Sequence, residues 1–354
     1  MGLRCRQQVD RPYPRWGGSR FVEVDHRKSP LHLLWRPVER AQAALLLVHG
    51  MNEYVGRYRP VADHFARRFH LAGVDLHGHG LTNPVLRRAD EAVRQGARCY
   101  DASDAFLEQA ALGTLAPMKA DFRAALAFVR RRWRGPVFVL AHSLGGLVAA
   151  SVVLEDRTPL AGVLLPGPAF AVSRLPGWFG RLANPVIDLS FRLFKDCLGR
   201  RRFPACLAAA PIEAVAELAS LPRLRRLLTP CRPSWVLDCL TDWEEEKERL
   251  RRDPYILPRT LLRWVLAIEK EIVRFRARMA AFPVPYYLLY CERDPITAAW
   301  GNEDFAAATR ANHPDNRVRS LPLPYHEQLF LRPPQTARLL ADMDAWLDRR
   351  LEMV

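Results

Sequence analysis

The 354-residue sequence lacks several features that would assign it to a class at once. No apolar run is long enough to span a bilayer, and no apolar segment near Met1 precedes a cleavage site. Cysteine is scarce: there are seven, an odd number, and no two have the C-x-x-C spacing of a metal or redox site. These absences predict a cytoplasmic protein in a reducing compartment, with no secretory signal, no membrane-spanning helix, no metal and no other cofactor.

Acidic residues are few relative to basic ones: 38 stand against 53, which gives a formal charge of +15. Arginine dominates, in blocks such as Arg130–Arg132 and Arg200–Arg202. This excess favours anionic partners, phospholipid surfaces included, although it also fits an ordinary solvated surface. Nucleic acid is not expected as a partner. With 49% hydrophobic residues, the chain is long enough to bury a large core.

Apolar runs and runs of helical periodicity alternate over most of the chain. Continuous apolar runs predict strands that are buried on both faces, and the periodic runs predict helices between them. Two further short strands are predicted at Arg20–Arg27 and Leu31–Trp35. The predicted buried strands are Ala43–Val48, Val137–Leu140 and Leu160–Leu165, and further strands are predicted at Leu71–Leu76, Tyr286–Cys291 and Val318–Leu323. The predicted helices are Gly56–Phe69, Met118–Trp133, one from Leu147, Trp300–Asn312 and Pro334–Leu351.

The alternation lapses in two places. Thr82–Ala116 has no strong periodicity and predicts a surface excursion with one short helix near Asp104–Ala111. Residues 169–281 are helical and interrupted by prolines. The whole pattern predicts an α/β fold with a doubly wound, mostly parallel sheet. Its core comprises residues 1–168 and 282–354, and residues 169–281 form a helical cap over the carboxyl ends of the strands, where ligands bind in open sheets.

A serine lies at the sharpest predicted turn of the sheet. The strand Val137–Leu140 ends in Ala-His-Ser-Leu-Gly-Gly, with Ser143 at its centre, and an apolar helix follows. A strand, a tight turn at a serine and a helix are the context of a nucleophile elbow, whose pattern is G-x-S-x-G. Here Ala141 occupies the first position. The residues two before and two after a strained serine must be small, and alanine adds only one methyl group.

A serine nucleophile needs a histidine base, and the histidine needs a carboxylate. Asp294 and His326 each follow one of the last two predicted strands, and the chain order Ser, Asp, His is the one this type of sheet uses. We therefore predict a triad of Ser143, Asp294 and His326. Glu292 is a second candidate for the acid, and Asp315 is a third.

The oxyanion that forms in acyl transfer needs two backbone N–H donors. Leu144 directly follows the nucleophile and is predicted to supply one. The loop after Ala43–Val48 reads His-Gly-Met, and the backbone N–H of Met51 is predicted to supply the other.

His77 and His79 are spaced like a pair of metal ligands. No carboxylate or cysteine ligand accompanies them, so the pair does not fit a common metal pattern. A glycine-rich turn after a strand is the better interpretation.

Taken together, these motifs resemble the α/β-hydrolase superfamily, and within it the branch of monoacylglycerol lipases and lysophospholipases that is also described as serine aminopeptidase-like. HGMNEYVGRY (His49–Tyr58) is similar to H-G-x-x-E-H-x-x-R-Y, and DLHGHG (Asp75–Gly80) to D-x-x-G-x-G. LTDWEEEKERLRRDP (Leu240–Pro254) is similar to that branch's L-T-x-D…D-P stretch. AHSLGG, Asp294 and YHE follow in the same order, so the resemblance covers about residues 20–352.

The resemblance implies hydrolysis of a carboxylic ester of a lipid, either a monoacylglycerol or a lysophospholipid, through an acyl-enzyme. The chain departs from the family pattern at Ala141, which replaces the usual glycine, and at Tyr54, where the family often has histidine. The excursion Thr82–Ala116 is also longer than the family's connection and lies near the mouth of the expected site. The size of the substrate therefore stays open.

Other functions stay open on the same fold. A small-molecule carboxylesterase would need the same triad. An aminopeptidase would also need carboxylates aimed at a substrate amine, for which Glu213, Glu217 and Glu244–Glu246 are candidates. A non-catalytic binding protein would not need the triad at all. The apolar, arginine-flanked stretch Val186–Arg202 either docks on an anionic membrane or packs over the site as an ordinary cap helix.

Overall fold

The computed structural model describes residues 6–111, 113–172, 231–232 and 234–353. These residues form an eight-stranded sheet with a hydrophobic core on each face, and a separate two-stranded ribbon. The strands are β1 (Gln8–Val9), β2 (Gly18–Val22), β3 (Leu31–Arg36), β4 (Ala43–Val48), β5 (Phe69–Val74), β6 (Tyr100–Asp101), β7 (Val137–Ala141), β8 (Gly162–Pro166), β9 (Tyr286–Cys291) and β10 (Arg317–Leu321). The α-helices of the described residues are α1 (Arg59–Phe65), α2 (Pro84–Arg94), α3 (Ala116–Arg132), α4 (Ser143–Asp156), α5 (Val236–Leu240), α6 (Glu244–Arg252), α7 (Leu262–Arg276), α8 (Ala299–Thr309) and α9 (Pro333–Leu351).

The order of the strands in the large sheet is β10-β9-β8-β7-β4-β5-β3-β2. All neighbours from β10 to β5 are parallel, whereas β3 and β2 extend one edge in antiparallel pairing. The small ribbon pairs β1 with β6, also antiparallel. The predicted α/β fold with a doubly wound, mostly parallel sheet is therefore confirmed.

The strands β4 and β7 lie at the centre of the sheet because both are continuous apolar runs that are buried on both faces. Val48 pairs with Ala141, so the two strands end side by side. β9 lies two strands beyond β7, next to β10 at the sheet edge. Parallel strands present their carboxyl ends at one edge, so the loops that follow β4, β7, β9 and β10 meet there.

The excursion after β5 contains a helix that the sequence analysis missed. α2 begins after Asn83, whose side-chain oxygen accepts hydrogen bonds from the backbone N–H groups of Val85 and Leu86. This asparagine, followed by a proline in the first helical turn, was the available signal. The short helix expected near Asp104–Ala111 is a 3-10 helix at Ala105–Ala111.

One predicted helix was too long. The sequence predicts a helix over Gly56–Phe69, whereas α1 covers Arg59–Phe65. Phe69 already begins β5 and pairs with Ala43 in the sheet. The apolar side chain of Phe69 fits a helix or a strand. Pairing in the sheet favours the strand, because it satisfies the backbone hydrogen-bonding groups of this buried segment.

A helical segment follows β8 and precedes β9, as predicted, and contributes α5, α6 and α7. The division into residues 1–168, 169–281 and 282–354 stays a prediction. The stretch Val186–Arg202 lies outside the described residues, as do Glu213 and Glu217.

The sequence predicts a reducing compartment from its scattered cysteines, and it predicts no membrane-spanning helix. Cys231 is disulfide-bonded, a bond that the scattered cysteine spacing did not indicate. Cys99, Cys239 and Cys291 are free. Among the helices of the described part of the chain, none combines the length and the hydropathy that a membrane crossing requires.

The carboxylate of Asp75 links four segments beneath the sheet edge. It accepts hydrogen bonds from the hydroxyl of Tyr13 (3.0 Å), from His32 Nδ1 (2.8 Å), and from the backbone N–H groups of Val55 (2.9 Å) and Leu81 (2.8 Å). Burial favours its neutral form, but the hydrogen bond and charge of His32, the charge of His49 and the N–H of Val55 together outweigh burial and lower the pKa of Asp75. The D-x-x-G-x-G pattern is explained by this carboxylate.

The last glycine of that pattern has a steric reason. Gly80 has a φ of 47°, and a Cβ added there would lie 2.1 Å from the carboxyl group of Asp75. A side chain at this position would therefore displace the carboxylate that holds the turn.

We predict that Asp75→Asn lowers the free energy of unfolding by about 3–5 kcal/mol, because a neutral amide places N–H donors against other N–H donors in a buried site. Urea unfolding followed by tryptophan fluorescence measures this change. Asp25→Asn is the matched control, since Asp25 is exposed, and we expect it to stay within about 0.5 kcal/mol of wild type. Equal effects of the two variants would contradict the role given to Asp75.

Candidate active site

The three residues predicted as a triad lie together at the carboxyl edge of the sheet. The Nε2 atom of His326 is 2.7 Å from the hydroxyl oxygen of Ser143. Its Nδ1 atom is 2.8 Å from Oδ2 of Asp294. All three residues are buried. The imidazole therefore lies between a hydroxyl that can lose a proton and a carboxylate that can hold the opposite ring nitrogen.

The backbone of the serine turn is strained in the way an elbow requires. Ser143 has a φ of 51°, a left-handed conformation that is uncommon for a residue with a side chain. β7 enters the turn fully buried and α4 leaves it, beginning at Ser143. A Cβ added to Gly145 would lie 2.4 Å from the carbonyl oxygen of His49, so glycine is required there. Ala141 keeps its methyl group inside the sheet core, which explains why alanine is tolerated at the first position.

The carboxylate of Asp294 is fixed by its own turn. Its Oδ1 atom accepts hydrogen bonds from the backbone N–H groups of Ile296 (2.8 Å) and Thr297 (3.0 Å). Its Oδ2 atom, which faces His326, also accepts a hydrogen bond from the hydroxyl of Thr297 (2.8 Å). The sequence analysis missed Thr297, although an Asp-Pro-x-Thr turn of this kind is a recognisable local pattern.

Burial and charge act in opposite directions on this pair. Burial disfavours the protonated ring of His326, but the charge and hydrogen bond of Asp294 outweigh it, so the pKa of His326 is raised. Burial favours the neutral form of Asp294, yet the charge of His326 and the amides of the turn hold the pKa of Asp294 below its usual value. The carboxylate can therefore orient the ring and stabilise the imidazolium.

The other two candidates for the acid lie elsewhere. Glu292 is exposed and accepts a hydrogen bond from the hydroxyl of Ser320. Asp315 pairs with Arg350 at 2.5 Å. Of the three candidates, Asp294 is the one that contacts His326.

The loop after β4 lies against the nucleophile. A Cβ added to Gly50 would lie 3.1 Å from Cβ of Ser143. Asn52, at a φ of 61°, fixes the following turn: its N–H donates to His79 Nε2 (3.1 Å) and its amide donates to the hydroxyl of Thr260 (2.7 Å). Within the described residues, no hydrogen-bond acceptor is found for the backbone N–H of Met51 or that of Leu144. Their role as oxyanion donors stays a prediction.

His77 and His79 belong to this loop structure. His79 uses both ring nitrogens, since Nε2 accepts from Asn52 and Nδ1 bonds to the carbonyl oxygen of His77 at 2.8 Å. Burial lowers the pKa of His79 to about 3 and that of His77 to about 4. In the described residues, no group of three or more potential ligands is arranged to hold a metal ion.

Tyr54 is the position where the resembling family often has histidine. Its hydroxyl donates to Oδ2 of Asp253 at 2.6 Å, and Asp253 precedes the proline that ends the motif Leu240–Pro254. Burial raises the pKa of Asp253. Tyr54 therefore forms a buried hydrogen bond that joins the loop after β4 to the segment that contains α6.

We predict that NMR titration of the histidine ring protons gives a pKa above 6.5 for His326, because Asp294 stabilises the imidazolium. Asp294→Asn removes the charge but keeps the burial, so the pKa of His326 falls below its wild-type value. Because the folded pKa of His326 is raised and that of Asp294 is lowered, the stabilisation from this pair is complete between about pH 4 and about pH 6.5; it is lost as the pH rises through the folded pKa of His326 or falls through that of Asp294.

The matched control is Asp315→Asn, since Asp315 is a partner of Arg350 and not of His326. We expect this variant to leave the pKa of His326 unchanged. The same pKa in wild type and Asp294→Asn would show that Asp294 does not act on the ring.

Comparison with known proteins supports these observations. The family model described as serine aminopeptidase, S33, matches residues 39–330. Phospholipase YtpA of Bacillus subtilis (strain 168) is 29% identical over 140 residues, which are 39% of this chain and 44% of that protein. The match therefore spans less than half the length of this curated relative.

Several solved structures share the fold. Monoglyceride lipase from Saccharomyces cerevisiae superposes with a TM-score of 0.66 at 15% identity, over 96% of this chain and 98% of that one. Monoacylglycerol lipase from Paleococcus ferrophilus gives 0.60 at 16% identity, over 90% and 99%. A carboxyl esterase from Bacillus coagulans gives 0.63 at 15% identity, over 94% and 98%. From the family match and these structures, the chain belongs to the serine aminopeptidase (S33) family and has the α/β-hydrolase fold.

Proposed function

We propose that this protein is a serine hydrolase that cleaves the carboxylic ester of a lipid, a monoacylglycerol or a lysophospholipid, through Ser143, His326 and Asp294. The observation that carries the proposal is the position of the His326 ring, with one nitrogen at the Ser143 hydroxyl and the other at the Asp294 carboxylate. A serine hydroxyl is a poor nucleophile alone, and this arrangement is the one that activates it.

The first half of the reaction forms an acyl-enzyme. His326 Nε2 takes the proton of Ser143 while the serine oxygen attacks the ester carbonyl carbon. The resulting oxyanion accepts hydrogen bonds from the backbone N–H groups of Met51 and Leu144. The bond to the leaving alcohol then breaks, and the imidazolium gives its proton to that alcohol oxygen.

The second half of the reaction regenerates the enzyme. His326 takes a proton from a water molecule, whose oxygen attacks the carbonyl carbon of the acyl group bound to Ser143. The same two N–H groups bind the second oxyanion. The carbon–oxygen bond to serine breaks, the serine oxygen recovers the proton, and a fatty acid leaves.

The lipid class of the substrate is supported by two observations. Similar proteins are described as a phospholipase and as monoglyceride or monoacylglycerol lipases. Three large apolar side chains are also exposed in segments around the site, namely Met51, Trp235 and Trp300. Exposed apolar residues near a catalytic site suit an apolar substrate. Peripheral contact with an anionic membrane is part of the same proposal.

The aminopeptidase alternative needs free carboxylates near the site. Of its candidates in the described residues, Glu246 is buried in an ion pair with Arg57. Glu244 is exposed and paired with Lys247 and Arg251. These partners disfavour a role for Glu244 or Glu246 in binding a substrate amine.

We predict that purified protein releases fatty acid from a long-chain monoacylglycerol or a lysophospholipid faster than it cleaves a short-chain ester or an aminoacyl anilide. Ser143→Ala should lower kcat by about 10⁶-fold, because it removes the nucleophile. Ser151→Ala is the matched control, since Ser151 is a buried serine of the same helix α4, and it should retain activity. Fatty acid titration and chromatography of the released alcohol measure both.

The substrate panel also decides between the alternatives. Cleavage of the short-chain ester alone indicates a small-molecule carboxylesterase, and cleavage of the anilide indicates an aminopeptidase. Equal activity of wild type and Ser143→Ala would contradict the proposed chemistry. Failure to sediment with anionic vesicles at low salt would remove the membrane contact from the proposal.

A further inference from the structure

A buried arginine contacts three carboxylates beside the candidate site. The guanidinium of Arg57 bonds to Glu53 at 2.6 Å and to Glu246 at 2.9 Å, and it also bonds to Glu327. The side chains of Arg57, Glu53, Glu246 and Glu327 are only 4–7% exposed. The central carbon of the Arg57 guanidinium also lies 3.8 Å from the centre of the Phe330 ring. A buried cation held this way is an interaction of defined geometry rather than a surface ion pair.

Two of the carboxylates belong to the loops that carry the proposed chemistry. Glu53 accepts hydrogen bonds from the N–H of Gly50 (2.6 Å), the hydroxyl of Tyr58 (2.7 Å) and His142 Nδ1 (3.0 Å). It therefore fixes both the turn that presents Met51 and the residue before the nucleophile. Glu327 directly follows His326 in the chain.

The third carboxylate comes from the inserted helical segment. Glu246 lies in the first turn of α6. The preceding helix α5 is joined to the same histidine loop through the backbone: the N–H of His326 donates to the carbonyl of Cys239 (3.0 Å), and that of Glu327 to Leu240 (2.8 Å). The segment from α5 to α6 thus contacts the histidine loop directly.

Only an arginine fits this position. The planar guanidinium offers five N–H donors in fixed directions, whereas a lysine offers three on one atom. Burial disfavours the charged guanidinium, but Glu327, Glu53 and Glu246 outweigh it, and the pKa of Arg57 is raised. One guanidinium therefore links the three segments to which these carboxylates belong.

We propose that Arg57 is a positioning residue that fastens the α5–α6 segment to the loops of His326 and Met51, so that docking of this segment sets the geometry for acyl transfer. The inference rests on the proposed hydrolase function. It adds a coupling between the inserted segment and the catalytic base that the triad by itself does not contain.

The carboxylates around Arg57 differ in their effect on the pKa of His326. Burial lowers the pKa of His326, while Asp294, Glu327 and Glu53 raise it, in that order. The charged or titratable groups that face the ring are Asp294, Glu53, Glu327 and His142, with Arg57 and Arg232 beside Glu327. Removing the charge of Glu327 should therefore shift the acid limb of activity, and removing that of Glu246 should not.

The first test compares Glu246→Gln with Glu245→Gln, its exposed neighbour on α6. We expect Glu246→Gln to lower kcat by about 10-fold or more with little change in KM, because small displacements of catalytic groups have effects of this size. The acid limb of its pH profile keeps the wild-type midpoint. Glu245→Gln should match wild type. Equal kcat values for the two variants would overturn the proposal.

The second test uses Glu327→Gln, because Glu327 pairs with the same Nη2 atom of Arg57 as Glu246 does, and it serves if Glu246→Gln does not fold. We expect a similar loss of kcat together with an acid-limb midpoint at lower pH. In the double variant the losses should not multiply, since both act through Arg57. Unchanged kcat and midpoint in Glu327→Gln, or multiplying losses, would overturn the proposal.

An activity-independent measurement separates this inference from the proposed function. The proton between His326 Nδ1 and Asp294 is followed as a low-field NMR resonance. If wild type hydrolyses no substrate, the proposed function fails, and this resonance decides the positioning role. Its loss in Glu246→Gln but not in Glu245→Gln supports the role of Arg57, and its persistence in both overturns it.

Discussion

The structure depends on holding one imidazole ring, that of His326, buried between a hydroxyl and a carboxylate. Burial alone would lower the pKa of the ring, and its carboxylate neighbours, Asp294 first, outweigh burial and raise it. Both neighbours have to be fixed before the ring is. Ser143 is fixed by a strained turn between β7 and α4, and Asp294 by the amides and hydroxyl of its own turn. The rest of the fold serves to bring these turns to one sheet edge.

The inserted segment belongs to this arrangement as much as the sheet does. The backbone of α5 accepts hydrogen bonds from the histidine loop, and α6 contributes a carboxylate to Arg57. The segment therefore supports the loops of the site. Arg57 is one basic side chain that lies in the interior, where its guanidinium offsets part of the charge of three carboxylates.

The sheet and the three site residues were predictable because each is marked by a local pattern. Apolar runs define the buried strands that precede Ser143 and Asp294, whereas His326 follows β10, an edge strand that is largely exposed. The Arg57 cluster was not predictable in this way, since Glu246 and Glu327 are 189 and 270 positions from the arginine in the chain. No sequence window contains them, and only the parallel sheet and the docked α6 bring them together. α2 was missed although it was predictable, because Asn83 and Pro84 mark its start and its few apolar residues, such as Leu86 and Ala89, share one helix face.

The central claim is that Ser143 is a nucleophile activated by His326, and trapping the acyl-enzyme tests it most directly. The protein is mixed with a p-nitrophenyl ester, quenched in acid within milliseconds and digested for peptide mass spectrometry. We expect the mass of one acyl group on the peptide that contains Ser143, and none on that peptide in His326→Ala. Turnover without an adduct on that peptide, or an adduct that persists in His326→Ala, would contradict the account.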